Sequence, residues 1–252
     1  MTQTPIEIFG LCKSHAGRPV LDRFSLTVGR GESVALLGLN GAGKTTLLRC
    51  LLDFQRAESG TIRIDGFDAR TAAARRQVSF LPERFQAPAF LTGLEFLQLS
   101  ARLHGVPWDA AGAEVACGRL ALDWPLLRQP LGRLSKGSSQ KLGLAACLLS
   151  NRRIYILDEP LSGLDVQARV LALDQLQRLR EEGCTLLFTC HEPADVDVLS
   201  HRVALLHRGT LHYCDTPARL RADHPGPSLG ASVLACLAAP AHVSDPPLEP
   251  QP

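Results

Sequence analysis

Alternation and apolar runs divide the chain into three parts. In the first, Ile6-Glu7-Ile8-Phe9 and Phe24-Ser25-Leu26-Thr27-Val28 alternate apolar and polar positions, the period of a strand with one buried face. Ser33-Val34-Ala35-Leu36-Leu37 runs apolar without alternation and predicts a parallel strand buried on both faces. A Gly-rich turn comes next, then a helix from about Lys44 to Leu52. Thr61-Ile62-Arg63-Ile64 returns as a strand that ends at Asp65-Gly66. Val78-Ser79-Phe80-Leu81 is another short strand, closed by Pro82.

From about Phe85 to Ser150 the pattern turns helical. Thr92-Gly93-Leu94-Glu95 has capping-box spacing and opens a helix toward Leu103, while Pro107, Pro125 and Pro130 punctuate the segment beyond it. The last part resumes strand and helix in alternation. Ile154-Tyr155-Ile156-Leu157 is a buried strand. Val170, Leu173, Leu176 and Leu179 form an apolar helical stripe that Gly183 stops, and Thr185 to Thr189 is the next strand. Val203 to Leu206 and Leu211 to Cys214 read as a hairpin turned at Arg208-Gly209. This alternation predicts an α/β protein built on a parallel sheet. The expected organisation is one domain over 1–223, with a helical subdomain over about 85–150. A Pro- and Ala-rich tail over 224–252 reads as poorly ordered.

Composition changes this picture little. The 252 residues suffice for one sizeable core, and 45% hydrophobic with 21% charged residues is ordinary for a globular chain. A net charge of +2 gives no field that argues for nucleic acid. The longest apolar stretches, such as Leu142 to Leu149 and Val233 to Ala239, fall short of the roughly 18 residues of a spanning helix. With no charged n-region and apolar h-region at the start, the expectation is a cytoplasmic chain whose membrane role needs another subunit. Eight scattered cysteines lack metal-like spacing and read as small buried hydrophobes.

Chemistry enters at Gly38-Leu39-Asn40-Gly41-Ala42-Gly43-Lys44-Thr45, a full G-x-x-x-x-G-K-[ST] between a buried strand and a helix. Glycines let backbone N–H groups face an anion, and the helix start aims its positive end at the same point. Lys44 would reach the β- and γ-phosphates, the Thr45 hydroxyl would bind Mg²⁺, and the backbone from Asn40 to Thr46 would hold the phosphates of a nucleotide. Leu157-Asp158-Glu159 ends a second buried strand. There Asp158 can hold Mg²⁺, and Glu159 can polarise an attacking water. These two motifs indicate a P-loop NTPase without separating kinases, GTPases and transport ATPases.

Leu134-Ser135-Lys136-Gly137-Ser138, with Gln140 just after, opens an apolar helix shortly before that second strand. Alone, Ser135 reads as an ordinary N-cap. In this position the segment resembles the signature motif of ABC ATPases, which in that family contacts the γ-phosphate held by the opposite subunit. Ser162-Gly163-Leu164-Asp165 resembles the D-loop, His191 the switch histidine, and Leu81-Pro82-Glu83 stands at the Q-loop position. The resemblance runs from about Ile6 to Pro217.

The resemblance implies a RecA-like parallel core with an N-terminal antiparallel β subdomain and the helical insertion. It implies a homodimer or heterodimer of ATPase subunits, with Ser135 and Gly137 completing the site from the second protomer and Asp165 near them. It further implies a membrane-spanning permease on a separate chain. Lys44, Glu159 and His191 are the expected catalytic residues, and Thr45, Asp158 and Glu83 the expected Mg²⁺ neighbours. His15 stands where relatives stack an aromatic ring on adenine. Glu83 in place of Gln, together with Lys136, resembles the ABC-2 group, many of whose members serve exporters. A soluble ABC ATPase working on a cofactor-assembly scaffold is the alternative use of the same motifs. Phe85, Pro88, Phe90 and Leu91 would either line a groove for the membrane subunit or pack inside the helical subdomain.

Overall fold

The alternating segments of the first third pair with one another. In the computed structural model, which describes residues 4–240, β1 (Ile6–His15) and β2 (Arg18–Val28) join through Ala16-Gly17. Both turn residues have positive φ, 49° and 76°, the two-residue turn whose twist matches the flanking strands. Both strands are therefore longer than their strictly alternating stretches. With β4 (Ser59–Ile64) and β5 (Phe67–Asp68) they form an antiparallel sheet in the order β2-β1-β4-β5. Its inward face, including Ile6, Ile8, Phe24 and Leu26, is buried.

The continuous apolar runs build the second sheet. β3 (Ser33–Leu37), β6 (Val78–Leu81), β7 (Ile154–Leu157), β8 (Thr185–Thr189), β9 (Arg202–His207) and β10 (Thr210–Asp215) lie in the order β10-β9-β3-β8-β7-β6. All neighbours are parallel except the β9–β10 hairpin. The parallel core sheet and the antiparallel N-terminal sheet agree with the fold that the sequence implied. Every residue of β3, β7 and β8 is buried, which is why these strands show no alternation.

Helices cover the sheet. α1 (Lys44–Leu51) follows β3, and the four-residue α2 (Ala72–Arg75) precedes β6. Between β6 and β7 lie α3 (Gly93–His104), α4 (Ala110–Arg119) and α5 (Lys136–Leu149). At the start of α3 the capping box is complete: Glu95 N donates to Thr92 Oγ1 at 3.2 Å, and Thr92 N donates to Glu95 Oε2 at 2.7 Å. Phe85 packs edge-on against Phe96 inside this unit, whereas Phe90 is 80% exposed. The four apolar side chains after β6 thus do not share one fate.

α6 (Val166–Glu181), α7 (Pro193–Leu199) and α8 (Pro217–Asp223) complete the alternation. The expected stripe on α6 holds at Leu176 and Leu179, which are buried, and needs correction at Val170, which is 60% exposed; Ala168, Ala172 and Gln175 complete the buried face. The expectation of a poorly ordered tail also fails over α9 (Leu229–Ala238). Ser228 caps it, Leu229, Ser232 and Cys236 are buried, and His212 Nε2 lies 2.9 Å from the Cys236 carbonyl. Residues 241–252 of that expected tail lie outside the described residues. All eight cysteines are free thiols, six of them buried.

Candidate functional site

The loop after β3 has little room. A Cβ on Gly38 would run into the Leu206 carbonyl of β9, and one on Gly43 would stand 3.0 Å from the Val20 carbonyl of β2. Gly43 also has φ 110° and caps α1, a backbone state that L side chains rarely adopt. Glycine at these two positions lets the loop fold back between β2 and β9 so that its remaining residues ring a cleft. Lys44, the first residue of α1, is buried and donates from Nζ to the Gly38 carbonyl at 2.7 Å. Burial lowers its pKa, while Glu159, Asp158 and Glu83 pull the other way.

The cleft holds about 510 Å³ and is lined by Asn40 through Thr46, by Glu83, Asp158, Glu159 and His191, and by His15 and Val20. Glu83 follows β6, Asp158 follows β7 and His191 follows β8, so the C-terminal ends of three parallel strands meet the loop after a fourth. Of the residues singled out in the sequence, those brought together are Asn40, Gly41, Ala42, Gly43, Lys44, Thr45, Thr46, Glu83, Asp158, Glu159, His191 and His15. Gly38 and Leu39 shape the loop from outside the lining.

Asp158 and Glu159 are held by contacts that sequence reasoning missed. Asp158 N donates to the Leu81 carbonyl at 2.8 Å. The buried Thr189 hydroxyl donates to Asp158 Oδ1 at 2.7 Å and accepts from Glu159 N at 2.8 Å. One side chain at the end of β8 thereby fixes both acidic residues at the end of β7. Its signal was available as a hydroxyl two residues before His191, at the end of the strand after the apolar Leu186-Leu187-Phe188. Val20 was missed as well, because nothing in the chain marks this residue of β2 as a neighbour of the loop.

Glu159 sits at φ 50°, an uncommon state for a side chain of its size. Its Oε1 is buried and lies 3.3 Å from His191 Nε2 without hydrogen-bond alignment. Burial raises the pKa of Glu159, opposed by His191 and Lys44. Burial raises Asp158 likewise, opposed by the Thr189 hydrogen bond and, after the like charge of Glu83, by Lys44. Desolvated carboxylates with one ammonium near them suit a cation brought by the ligand. Among the described residues no three His, Cys, Asp or Glu groups form a metal cage. The Asp158 and Glu83 carboxylates with the Thr45 hydroxyl fit a cation such as Mg²⁺, which takes one or two carboxylates and fills its sphere from phosphates and water.

Ser135, Gly137 and Asp165 do not line the cleft. Ser135 Oγ accepts from Ser138 N at 3.1 Å as the N-cap of α5, and Asp165 Oδ1 accepts from Ala168 N at 2.8 Å as the N-cap of α6. A Cβ at Gly137 would lie 3.5 Å from the Gly163 carbonyl, so the α5 start and the segment before α6 are neighbours. Within this chain the two segments form a second polar group apart from the cleft.

Comparison with known proteins points to one family. The ABC transporter family matches residues 21–162. An uncharacterized ABC transporter ATP-binding protein of Synechocystis is 35% identical over 194 residues, covering 76% of this chain and 55% of that protein. A Nod factor export ATP-binding protein I of Paraburkholderia xenovorans is 34% identical over 232 residues, covering 90% of this chain and 75% of that one. The solved structure of an ATP-binding subunit of an ABC transporter superposes with a TM-score of 0.82 at 29% identity, covering 92% of this chain and 99% of that one. The chain spans little more than half the length of the first of these relatives. The chain belongs to the ABC transporter family, among its ATP-binding proteins.

Proposed function

We propose that the chain binds and hydrolyses MgATP as one of two ATPase protomers and drives a membrane-spanning permease carried on a separate chain. The observation that carries this reading is the division of the site. Lys44, Thr45, Asp158, Glu159 and His191 ring one cleft, while Ser135 and Gly137 stand outside it at the start of α5; they would meet a γ-phosphate held by a second protomer. Asn40 through Thr46 would hold the phosphates with backbone N–H groups and Lys44. His15 would lie against the base, with less area than a larger aromatic ring offers.

Thr45 and Asp158, with Glu83 beside them, would hold Mg²⁺, which contributes positive charge at the phosphates. Glu159 accepts the proton of a water whose oxygen attacks the γ-phosphorus; the P–O bond to water forms as the bond to the β-phosphate oxygen breaks. His191 donates to the γ-phosphate, replacing its contact with Glu159. Ser135 and Gly137 of the second copy close over the same phosphate, so ATP favours the closed dimer and hydrolysis releases it.

The chain would sit peripherally on the cytoplasmic face of the permease; among the described residues no helix is long and apolar enough to cross a membrane. The Nod factor export relative, together with Glu83 and Lys136, supports export. The test is a pull-down of tagged Glu159→Gln protein from detergent-solubilised membranes, with and without MgATP. Stoichiometric recovery of a multi-span protein supports the reading. Recovery of soluble scaffold proteins alone would replace transport with the assembly role and leave the ATP site intact.

A further inference from the structure

Besides the nucleotide cleft, a second cavity of about 220 Å³ lies between two loops, lined by Ser162, Gly163 and Leu164 and by Thr189, Cys190 and His191. One ion pair joins the helices that carry these loops. Arg169 Nη2 on α6 lies 2.7 Å from Asp195 Oδ2 on α7, and the Asp195 side chain is only 4% exposed. Arg169 stands one turn beyond Asp165, whose carbonyl accepts its N–H at 2.9 Å. Asp195 stands in the first turn of α7, where its N–H donates to the Glu192 carbonyl at 3.1 Å, just after His191. Each partner therefore sits one turn behind a loop that faces the site.

A third group fastens the same point. Cys190 Sγ lies 3.6 Å from Asp195 Oδ2 and 3.2 Å from the Glu192 carbonyl. Burial pushes its thiol up to about 12, so it stays an S–H donor. A further tie, Arg180 Nη1 to the Val198 carbonyl at 2.8 Å, joins the same two helices nearer the other end of α6. The Asp195 carboxylate is buried while the Arg169 side chain is 31% exposed, so the pair reaches from the α6–α7 seam to the surface. Together with the Arg180 tie it fixes how α6 and α7 lie relative to each other.

We propose that Arg169 and Asp195 are a positioning pair that links His191 to the Ser162–Asp165 loop, so that filling of the phosphate cleft is passed to the surface awaiting the second protomer. The link rests on the nucleotide reading above, because His191 must sense the γ-phosphate for anything to be transmitted. When His191 leaves Glu159 for the phosphate, Cys190 and Asp195 move with it, and Asp195 draws α6 and its N-terminal loop along. Neither residue touches substrate.

The test is amide hydrogen exchange of the full chain with and without MgATP, on the parent protein and on Arg169→Met, Arg169→Lys and Asp195→Asn. In the parent, MgATP slows exchange in both 189–195 and 162–168. In Arg169→Met and Asp195→Asn the response of 189–195 persists, while that of 162–168 falls from about tenfold to under about twofold. Arg169→Lys, which keeps the charge, restores most of it. Linked protection that survives in Arg169→Met overturns the inference alone. So does faster exchange throughout α6 and α7 without nucleotide, which would make the pair merely structural. Absence of any MgATP response in the parent removes the nucleotide reading and this inference with it.

Discussion

Thr189→Val isolates the contact that holds both acidic residues. Valine matches threonine in shape, so the change removes one hydroxyl from a site with no solvent access. Two hydrogen bonds vanish together: the 2.7 Å bond to the Asp158 carboxylate and the 2.8 Å bond from Glu159 N. A bond to a charged group is worth about 1.5–3 kcal/mol and a neutral one about 0.5–1.5 kcal/mol, and here the abandoned partners remain buried. The expected loss is about 2–4 kcal/mol on the same scale. With a urea m-value of about 3 kcal/mol/M, the midpoint falls by about 1 M at unchanged slope.

The pH dependence fixes the cause. Asp158 has a raised folded pKa, so its ionisation destabilises the native state as pH rises from the unfolded to the folded value. Thr189 opposes that rise; its removal pushes the pKa higher and widens the window of lost stability. The penalty is therefore larger at pH above the folded pKa of Asp158 than below it, where the carboxyl carries a proton and costs less to bury. Urea titration of Thr189→Val and Thr189→Ser across this range is the assay, with serine keeping most of the parent value. A valine penalty below about 1 kcal/mol, or one that grows in acid, would refute the reasoning.

Other expectations rest on single features. Glu159→Gln should lower steady-state ATP hydrolysis by about 10²–10⁴-fold while equilibrium dialysis shows ATP binding retained. Because burial raises the Glu159 pKa, the acid limb of the turnover profile should fall above the ordinary carboxylate range of about 4.3, and a limb at or below it would remove Glu159 as the base. Gly143→Ala should destabilise despite the usual helix gain of about 1 kcal/mol. A Cβ there would lie 2.8 Å from Leu81 Cδ1 and the Phe85 ring, and relieving such crowding costs about 1–3 kcal/mol, which thermal unfolding would register. Phe90→Asp, at an exposed position, should leave the melting temperature and ATPase activity near the parent values while reducing recovery with membranes.

Much of the cleft was legible because its chemistry is local in sequence. The glycine loop with Lys44, Asp158 with Glu159, and His191 each follow a strand whose apolar run is plain, and parallel strands deliver such ends to one edge. What stayed hidden was relational. Thr189 and Val20 matter through partners that are distant in the chain, and no periodicity announces them. The stripe on α6 was legible at Leu176 and Leu179 and misled at Val170, because hydrophobicity was read without size: the small Ala168 and Ala172 are buried while the larger Val170 is exposed. α9 was hidden by composition, since the Pro and Ala that flank it mask a Ser cap and a buried Leu229, Ser232 and Cys236 face. The β1–β2 hairpin was missed because its turn is Ala16-Gly17 rather than the usual Asn-Gly or Asp-Gly.

The strand order has a consequence for the chain during its own synthesis. β3, which carries the phosphate loop, is hydrogen-bonded on one side to β8 and on the other to β9, both from the far end of the sequence. A ribosome releasing about 5–20 residues per second therefore leaves the apolar Val34 to Leu37 segment without its sheet neighbours for about 10–30 s. The nascent loop cannot take its final shape in that interval, because Gly38 is seated against Leu206 only after β9 arrives. Ligand capture thus waits until synthesis has passed β9, and its yield in a cell should depend on chaperones that shield an unpaired β3.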